Sequence, residues 1–194
     1  MDRSAREDLR ALPDEVQDAF GYALHQAQIG KHHPAAKRLK GTLGGLIELV
    51  EDFDGDTYRA VYTVKLAGTE DRLMATRATR SARQKRIDAI PVTRGSGNVF
   101  ADLGLPNPEE RLAKAQLASL IDDVIRERGL TQRRAAMIMG IDQPKVSHIL
   151  HGRLAGFSTH RLIDFLTALG RDVEIVVRPA PRSRKRGRLH VAAA

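Results

Sequence analysis

Leu130-Thr131-Gln132-Arg133-Arg134-Ala135-Ala136-Met137-Ile138-Met139-Gly140-Ile141-Asp142-Gln143-Pro144-Lys145-Val146-Ser147-His148-Ile149-Leu150-His151-Gly152-Arg153 reads as two short helices with a tight turn between them. Thr131 stands where a side-chain oxygen accepts from an orphan N–H at a helix start, so a helix is expected over Gln132 to Met139. Arg134 occupies the place where a full capping box carries Glu. Gly140 supplies the turn, Ile141 points inward, and Asp142 is expected to cap a second helix from Gln143 to about His151. Pro144 falls in the first turn of that helix, where a missing N–H costs little.

Outward from this pair, two more helices complete a bundle over residues 109–170. The first runs from about Glu109 to Arg128, with Leu117, Ile121, Val124 and Ile125 on one face, and Gly129 ends it. The last is capped by Ser158 and contributes Leu162, Phe165, Leu166 and Leu169. In the helix after Asp142, Val146, Ile149 and Leu150 recur at three- and four-residue spacing and face the core. Gln143, Lys145, Ser147 and His148 are left on the other sides. An amide, an ammonium and a hydroxyl at one helix N-terminus suit the wide groove of a duplex. Gln bonds adenine bidentately, Ser reaches bases or phosphate, and Lys reaches guanine or backbone. Arg153 is placed to grip a phosphate.

Charge points the same way. Across 194 residues the formal charge is +8, yet residues 1–90 are nearly balanced, with 15 Lys/Arg against 14 Asp/Glu. Residues 91–194 hold 17 against 10, and six of the 17 lie between Arg178 and Arg188. A basic half suits a polyanion, because neutralised phosphates release their counterions; a solubilising tail would look the same. The chain has no cysteine, which excludes disulfides, thiolate metal sites and thiol catalysis. His148 and His151 have helical spacing but no third ligand, so no metal and no cofactor are expected. Neither a bilayer-length apolar run nor a secretory leader is legible, and a cytoplasmic location is expected.

The segment from Leu130-Thr131-Gln132 through Gly140-Ile141-Asp142-Gln143-Pro144-Lys145-Val146-Ser147 to Gly152-Arg153 resembles the XRE (Cro/repressor-like) helix-turn-helix family. Residues 92–190 are similar, more narrowly, to antitoxins of the HigA type, through Arg94-Gly95-Ser96-Gly97-Asn98-Val99-Phe100-Ala101-Asp102-Leu103-Gly104 and Gly170-Arg171-Asp172-Val173-Glu174-Ile175-Val176-Val177. The resemblance implies a sequence-specific repressor on operator DNA. It puts Gln132, Gln143, Lys145 and Ser147 at DNA-contacting positions; Arg133 and Arg134 are more basic than that pattern and are expected to add phosphate contacts. Residues 92–108, rich in Gly and Pro, are expected to be an extended arm. Asp172–Val177, within a segment spanning 171–179, reads as a strand with Val173, Ile175 and Val177 on one face. An apolar edge of this kind invites pairing with a second copy; packing on the first half is the alternative. Residues 180–194 form a basic tail.

In the first half, Leu9, Leu12, Val16, Ala19, Phe20, Ala23, Leu24 and Ala27 predict one helix over residues 4–29, stopped by Gly30. Leu46–Asp52 and Thr57–Leu66 flank Asp54-Gly55-Asp56 as a hairpin. Residues 67–91 read as a basic linker, or else a solvated helix. Asp8-Leu9-Arg10-Ala11-Leu12-Pro13, Phe20-Gly21-Tyr22-Ala23-Leu24, Ala36-Lys37-Arg38-Leu39-Lys40-Gly41 and Gly55-Asp56-Thr57-Tyr58-Arg59-Ala60-Val61-Tyr62 resemble RelE/ParE-type toxins of the HigB-like branch. Those are ribosome-dependent ribonucleases that antitoxins neutralise. The family carries aromatic and basic catalytic strands where this chain has the aromatic-free run 67–91. Residues 1–66 are therefore expected to be a truncated, catalytically inactive remnant with no catalytic residues. Arg59, Lys37 and Lys40 are weak candidates for residual RNA affinity.

The expected class is α+β: an N-terminal helix and β-hairpin of incomplete RelE type, then an all-helical helix-turn-helix bundle and one strand. The expected function is an antitoxin-type repressor, a homodimer that also binds a RelE/HigB-type toxin. The alternatives are a self-inhibited messenger-RNA endoribonuclease fused to its antitoxin, or a segment that folds on, and sequesters, a separate toxin.

Overall fold

The computed structural model describes residues 3–39, 46–63, 95–182 and 187–192. The class is α+β: helices and a three-stranded antiparallel sheet come first, a helical bundle second. Residues 67–91, where a linker is expected, lie outside the described residues, as do Lys40 and residues 183–186 of the tail.

The single helix expected over residues 4–29 is two, α1 (Arg3–Arg10) and α2 (Asp14–Gln28). Pro13 sits before α2 with an extended ψ of 148°, and proline cannot continue the preceding helix. The break is sealed by Gln17, whose Nε2 donates to the carbonyls of Arg10 at 3.1 Å and Leu12 at 2.7 Å. Apolar spacing alone runs through such a break, because both helices use one face.

The hairpin is present, with a third strand at its edge. β1 (Ala36–Arg38) pairs antiparallel with β2 (Ile47–Phe53), which pairs with β3 (Asp56–Tyr62). Phe53 stands opposite Asp56, leaving Asp54 and Gly55 as a two-residue loop with φ of +52° and +86°. Positive φ at both positions is what the right-handed strand twist asks of so short a turn. Leu49 and Glu51 are buried on the inner face of β2.

The arm expected over residues 92–108 is not wholly extended. Its middle is α3 (Val99–Leu103), capped by Asn98, whose Oδ1 accepts from the N–H groups of Phe100 and Ala101. Val99, Phe100, Leu103 and Leu105 are buried. Glycine and proline at either end suggest a flexible strand, but Asn98-Val99-Phe100 is a helix start with an apolar anchor. The bundle follows closely: α4 (Pro108–Glu127), α5 (Gln132–Met139), α6 (Gln143–Leu150) and α7 (Thr159–Ala168). Thr131 and Ser158 cap as expected, accepting from Arg134 and Arg161 at 3.2 Å.

One buried cluster unites the halves. Leu9, Val16, Phe20, Tyr22, Ala23 and Leu49 join Phe100, Leu103, Ala118, Ile121 and Ile149 in a single core. α2 is buried along most of its length because small residues let neighbours approach. A Cβ on Gly21 would collide with the Phe100 ring at Cε1. Polar clasps ring this contact. Arg111 donates to Asp18 at 2.5 Å and to Asp14 at 2.9 Å, Lys31 Nζ to Asp123 at 2.5 Å and Ser119 at 2.9 Å, and Arg10 Nε to the Leu103 carbonyl at 3.0 Å.

The strand expected after the bundle is absent from the single chain. Residues 172–177 form no ladder with any described segment, and Ile175, Val176 and Val177 are exposed. A strand needs a partner for its backbone groups, and neither the hairpin nor any other described segment supplies one.

Candidate nucleic-acid interface

α5, the Gly140 turn and α6 form a compact corner. Gly140 takes φ +65°, the left-handed conformation that ends α5 within one residue. Val146 and Ile149 of α6 are buried, and Ala135, Ala136 and Met139 of α5 are buried with them. The opposite surface of α6 is open: Gln143, Lys145 and His148 are exposed, and Ser147 is half-buried. On α5, Arg133 is exposed and Gln132 half-buried.

Gln132 and Gln143 work as one unit. Gln143 Nε2 donates to Gln132 Oε1 at 2.5 Å. That bond uses one amide hydrogen and leaves Gln143 with a second N–H and its Oε1, the pair that adenine requires. Asp142 differs from the expectation. It stands at the N-cap position of α6, but its side chain makes no capping bond; its carboxylate pairs with Lys145 Nζ at 2.9 Å. Both groups are exposed, so this pair is worth little and leaves Lys145 available to another partner.

The C-terminal end of α6 is not free. His151 Nδ1 donates to the Ser147 carbonyl at 2.8 Å, and its ring meets His33 edge-on at 5.9 Å between centroids. Gly152 (φ +75°) lies so close to Tyr22 that an added Cβ would collide with the Tyr22 Cβ. Arg153, expected on a phosphate, is instead held by the first half: its Nε donates to Glu51 Oε1 and its Nη2 to the Asp52 carbonyl at 3.0 Å. Glu51 is 4% exposed, so the carboxylate needs this cation. Partial burial, then the nearby Arg153 and His151, lower the pKa of His148 from the ordinary imidazole value.

Glu51, Tyr22 and His33 are not singled out by sequence reasoning. A signal did exist for Glu51: it shares the inward register of β2 with Leu49, and a carboxylate on a buried face demands a cation. Lys37 and Arg59 lie exposed, Arg59 pairing with Glu48 at 3.3 Å. Among the described residues no cluster of His, Asp or Glu could hold a metal ion, and no helix is long and apolar enough to cross a membrane.

A family model described as a helix-turn-helix domain matches residues 99–178. Within that span α5, the Gly140 turn and α6 make the helix-turn-helix corner. A second model, phage-derived protein Gp49-like, matches residues 7–70. A solved structure assigned provisionally to the XRE family of transcriptional regulators is 48% identical over 46% of this chain and all of its own length, with a TM-score of 0.43. No curated protein matches the chain. The helix-turn-helix match begins at α3, so the capped Asn98 segment belongs to the domain and is no mere tether. The Gp49-like match covers the end of α1, α2 and the sheet that holds Arg153.

Proposed function

We propose that the chain is a sequence-specific DNA-binding transcriptional repressor of antitoxin type, carrying a toxin-like first half that does not cleave RNA. The observation that carries this reading is the exposed edge of α6, where Gln143 and Lys145 stand open to solvent beside Arg133 on α5. In such a corner the first turn of the second helix enters the major groove while the preceding helix crosses the backbone. The Gp49-like match supports a link to toxin–antitoxin systems. No catalytic residue is assigned to the first half.

Two copies bind together, paired through Val173, Ile175 and Val177, so that two α6 helices face half-sites roughly 34 Å apart. Exposed apolar side chains along residues 173–177 favour this pairing. A RelE/HigB-type toxin is a further partner under the same reading. The competing reading, a self-inhibited endoribonuclease fused to its antitoxin, draws on the same Gp49-like match. It requires messenger-RNA cleavage by the full chain on translating ribosomes.

Gln143→Ala tests the groove assignment. It should weaken binding to the DNA upstream of the chain's own gene by roughly 1–3 kcal/mol and relax preference at one base pair. Fluorescence anisotropy against a set of single-base-substituted duplexes reads both effects. Unchanged affinity for every duplex would remove α6 from the groove.

A further inference from the structure

We propose that Glu51 holds Arg153 away from DNA, so that the first half lowers the affinity of the helix-turn-helix domain for the phosphate backbone. The inference rests on the DNA-binding reading above and adds a control element to that interface.

Arg153 lies three residues beyond Leu150, the last of α6, and its backbone N–H donates to the His148 carbonyl at 2.9 Å. It is therefore anchored to the helix that faces the groove, close to where a phosphate strand would pass. Guanidinium groups grip phosphate and carboxylate through the same planar fork of N–H donors. In this chain that fork is occupied: Nε on Glu51, Nη2 on the carbonyl of Asp52. Glu51 thus stands where a phosphate would, and it cancels the charge on Arg153.

The exchange is not free, because Glu51 is almost fully buried. Taking Arg153 away leaves a carboxylate without its cation in the core, which is strongly unfavourable. A surface pair such as Lys145 with Asp142 yields to a phosphate, whereas Arg153 yields only if β2 moves off α6. Two adjacent contacts help to seat the first half: Gly152 against Tyr22 of α2, and the His151 ring against His33. The seated first half therefore costs the interface one phosphate contact per chain. Any event that displaces it, such as a second protein engaging the sheet, returns that contact.

Glu51→Gln in the full chain tests this. Glutamine keeps the shape and removes the charge, so Arg153 can leave without exposing a buried anion. Binding of the variant to a mixed-sequence 30-base-pair duplex should strengthen by about fivefold at about 0.15 M salt, and the salt dependence should steepen by about 0.9 per chain. Adding Arg153→Ala to Glu51→Gln should abolish both gains. Arg153→Ala alone should cost the wild type markedly less affinity than it costs the Glu51→Gln variant. Thermal melts confirm that each variant is folded. Equal losses for Arg153→Ala in both backgrounds overturn the proposal, as does a Glu51→Gln variant that binds no tighter than wild type. If the wild-type chain binds no duplex at all, the DNA-binding reading fails and this inference with it; binding with an unaltered salt slope sinks only the inference.

Discussion

Phe100→Ala should destabilise the whole chain by about 3–5 kcal/mol. The side chain is 1% exposed and rests in the notch that Gly21 opens in α2, so its removal leaves a cavity at the seam between the halves. Neither neighbour can close over the gap. α2 is pinned by Arg111 on Asp18, the turn after it by Lys31 on Asp123, and α3 is fixed by its Asn98 cap. The tyrosines, Tyr22, Tyr58 and Tyr62, all belong to the first half, while among the described residues most helix lies in the second. Tyrosine fluorescence and far-ultraviolet circular dichroism therefore follow different halves. Because both halves contribute to one core, urea transitions by the two probes should coincide in the wild type and shift together in the variant. Separate midpoints, or a loss below about 1 kcal/mol, would mean that the halves do not share a core.

Acid should loosen the same seam. His33 is 2% exposed, edge-on to Tyr22 at 5.7 Å and to His151 at 5.9 Å, and its Nε2 has no hydrogen-bond partner among the described residues. Burial, reinforced by the neighbouring His151, depresses its pKa from 6.5 to about 4. The unfolded chain then binds a proton that the folded chain refuses. Stability from this group is complete above 6.5 and is lost progressively as pH falls towards about 4. From about pH 7.5 to about pH 5 the loss should be about 2 kcal/mol. His25, lowered by burial and by Lys31, adds in the same direction. Asp18 opposes it, since burial raises its carboxyl above 3.8 and protonation there favours the folded form. Urea midpoints across this range should fall for the wild type and flatten for His33→Gln. Equal slopes for the two chains would assign the acid sensitivity elsewhere.

The features legible in the sequence are those written locally. Caps at Thr131 and Ser158, the turn at Gly140 and the Asp54-Gly55 hairpin each depend on a few adjacent residues. The α5–α6 corner follows from them, and so does the exposure of Gln143 and Lys145. The features that escape depend on partners far along the chain. Asn98-Val99-Phe100 looks like part of a Gly/Pro-rich tether until α2 is known to offer Gly21 as a socket. Arg153 looks free until β2 turns Glu51 inward. Pro13 hides for a different reason, because a helical period survives a break when both pieces bury the same face. The Asp172–Val177 strand marks the converse case: alternation shows what a segment could pair with, not that a partner exists within one chain.

The first turn of α6 is proposed to read the edges of base pairs. A hydroxyl-radical footprint of the full chain on the DNA upstream of its own gene tests it most directly. Two protected half-sites about one helical turn apart, both lost with Gln143→Ala, are the predicted result. Uniform protection no stronger than on a mixed-sequence duplex, or a footprint indifferent to Gln143, would contradict it.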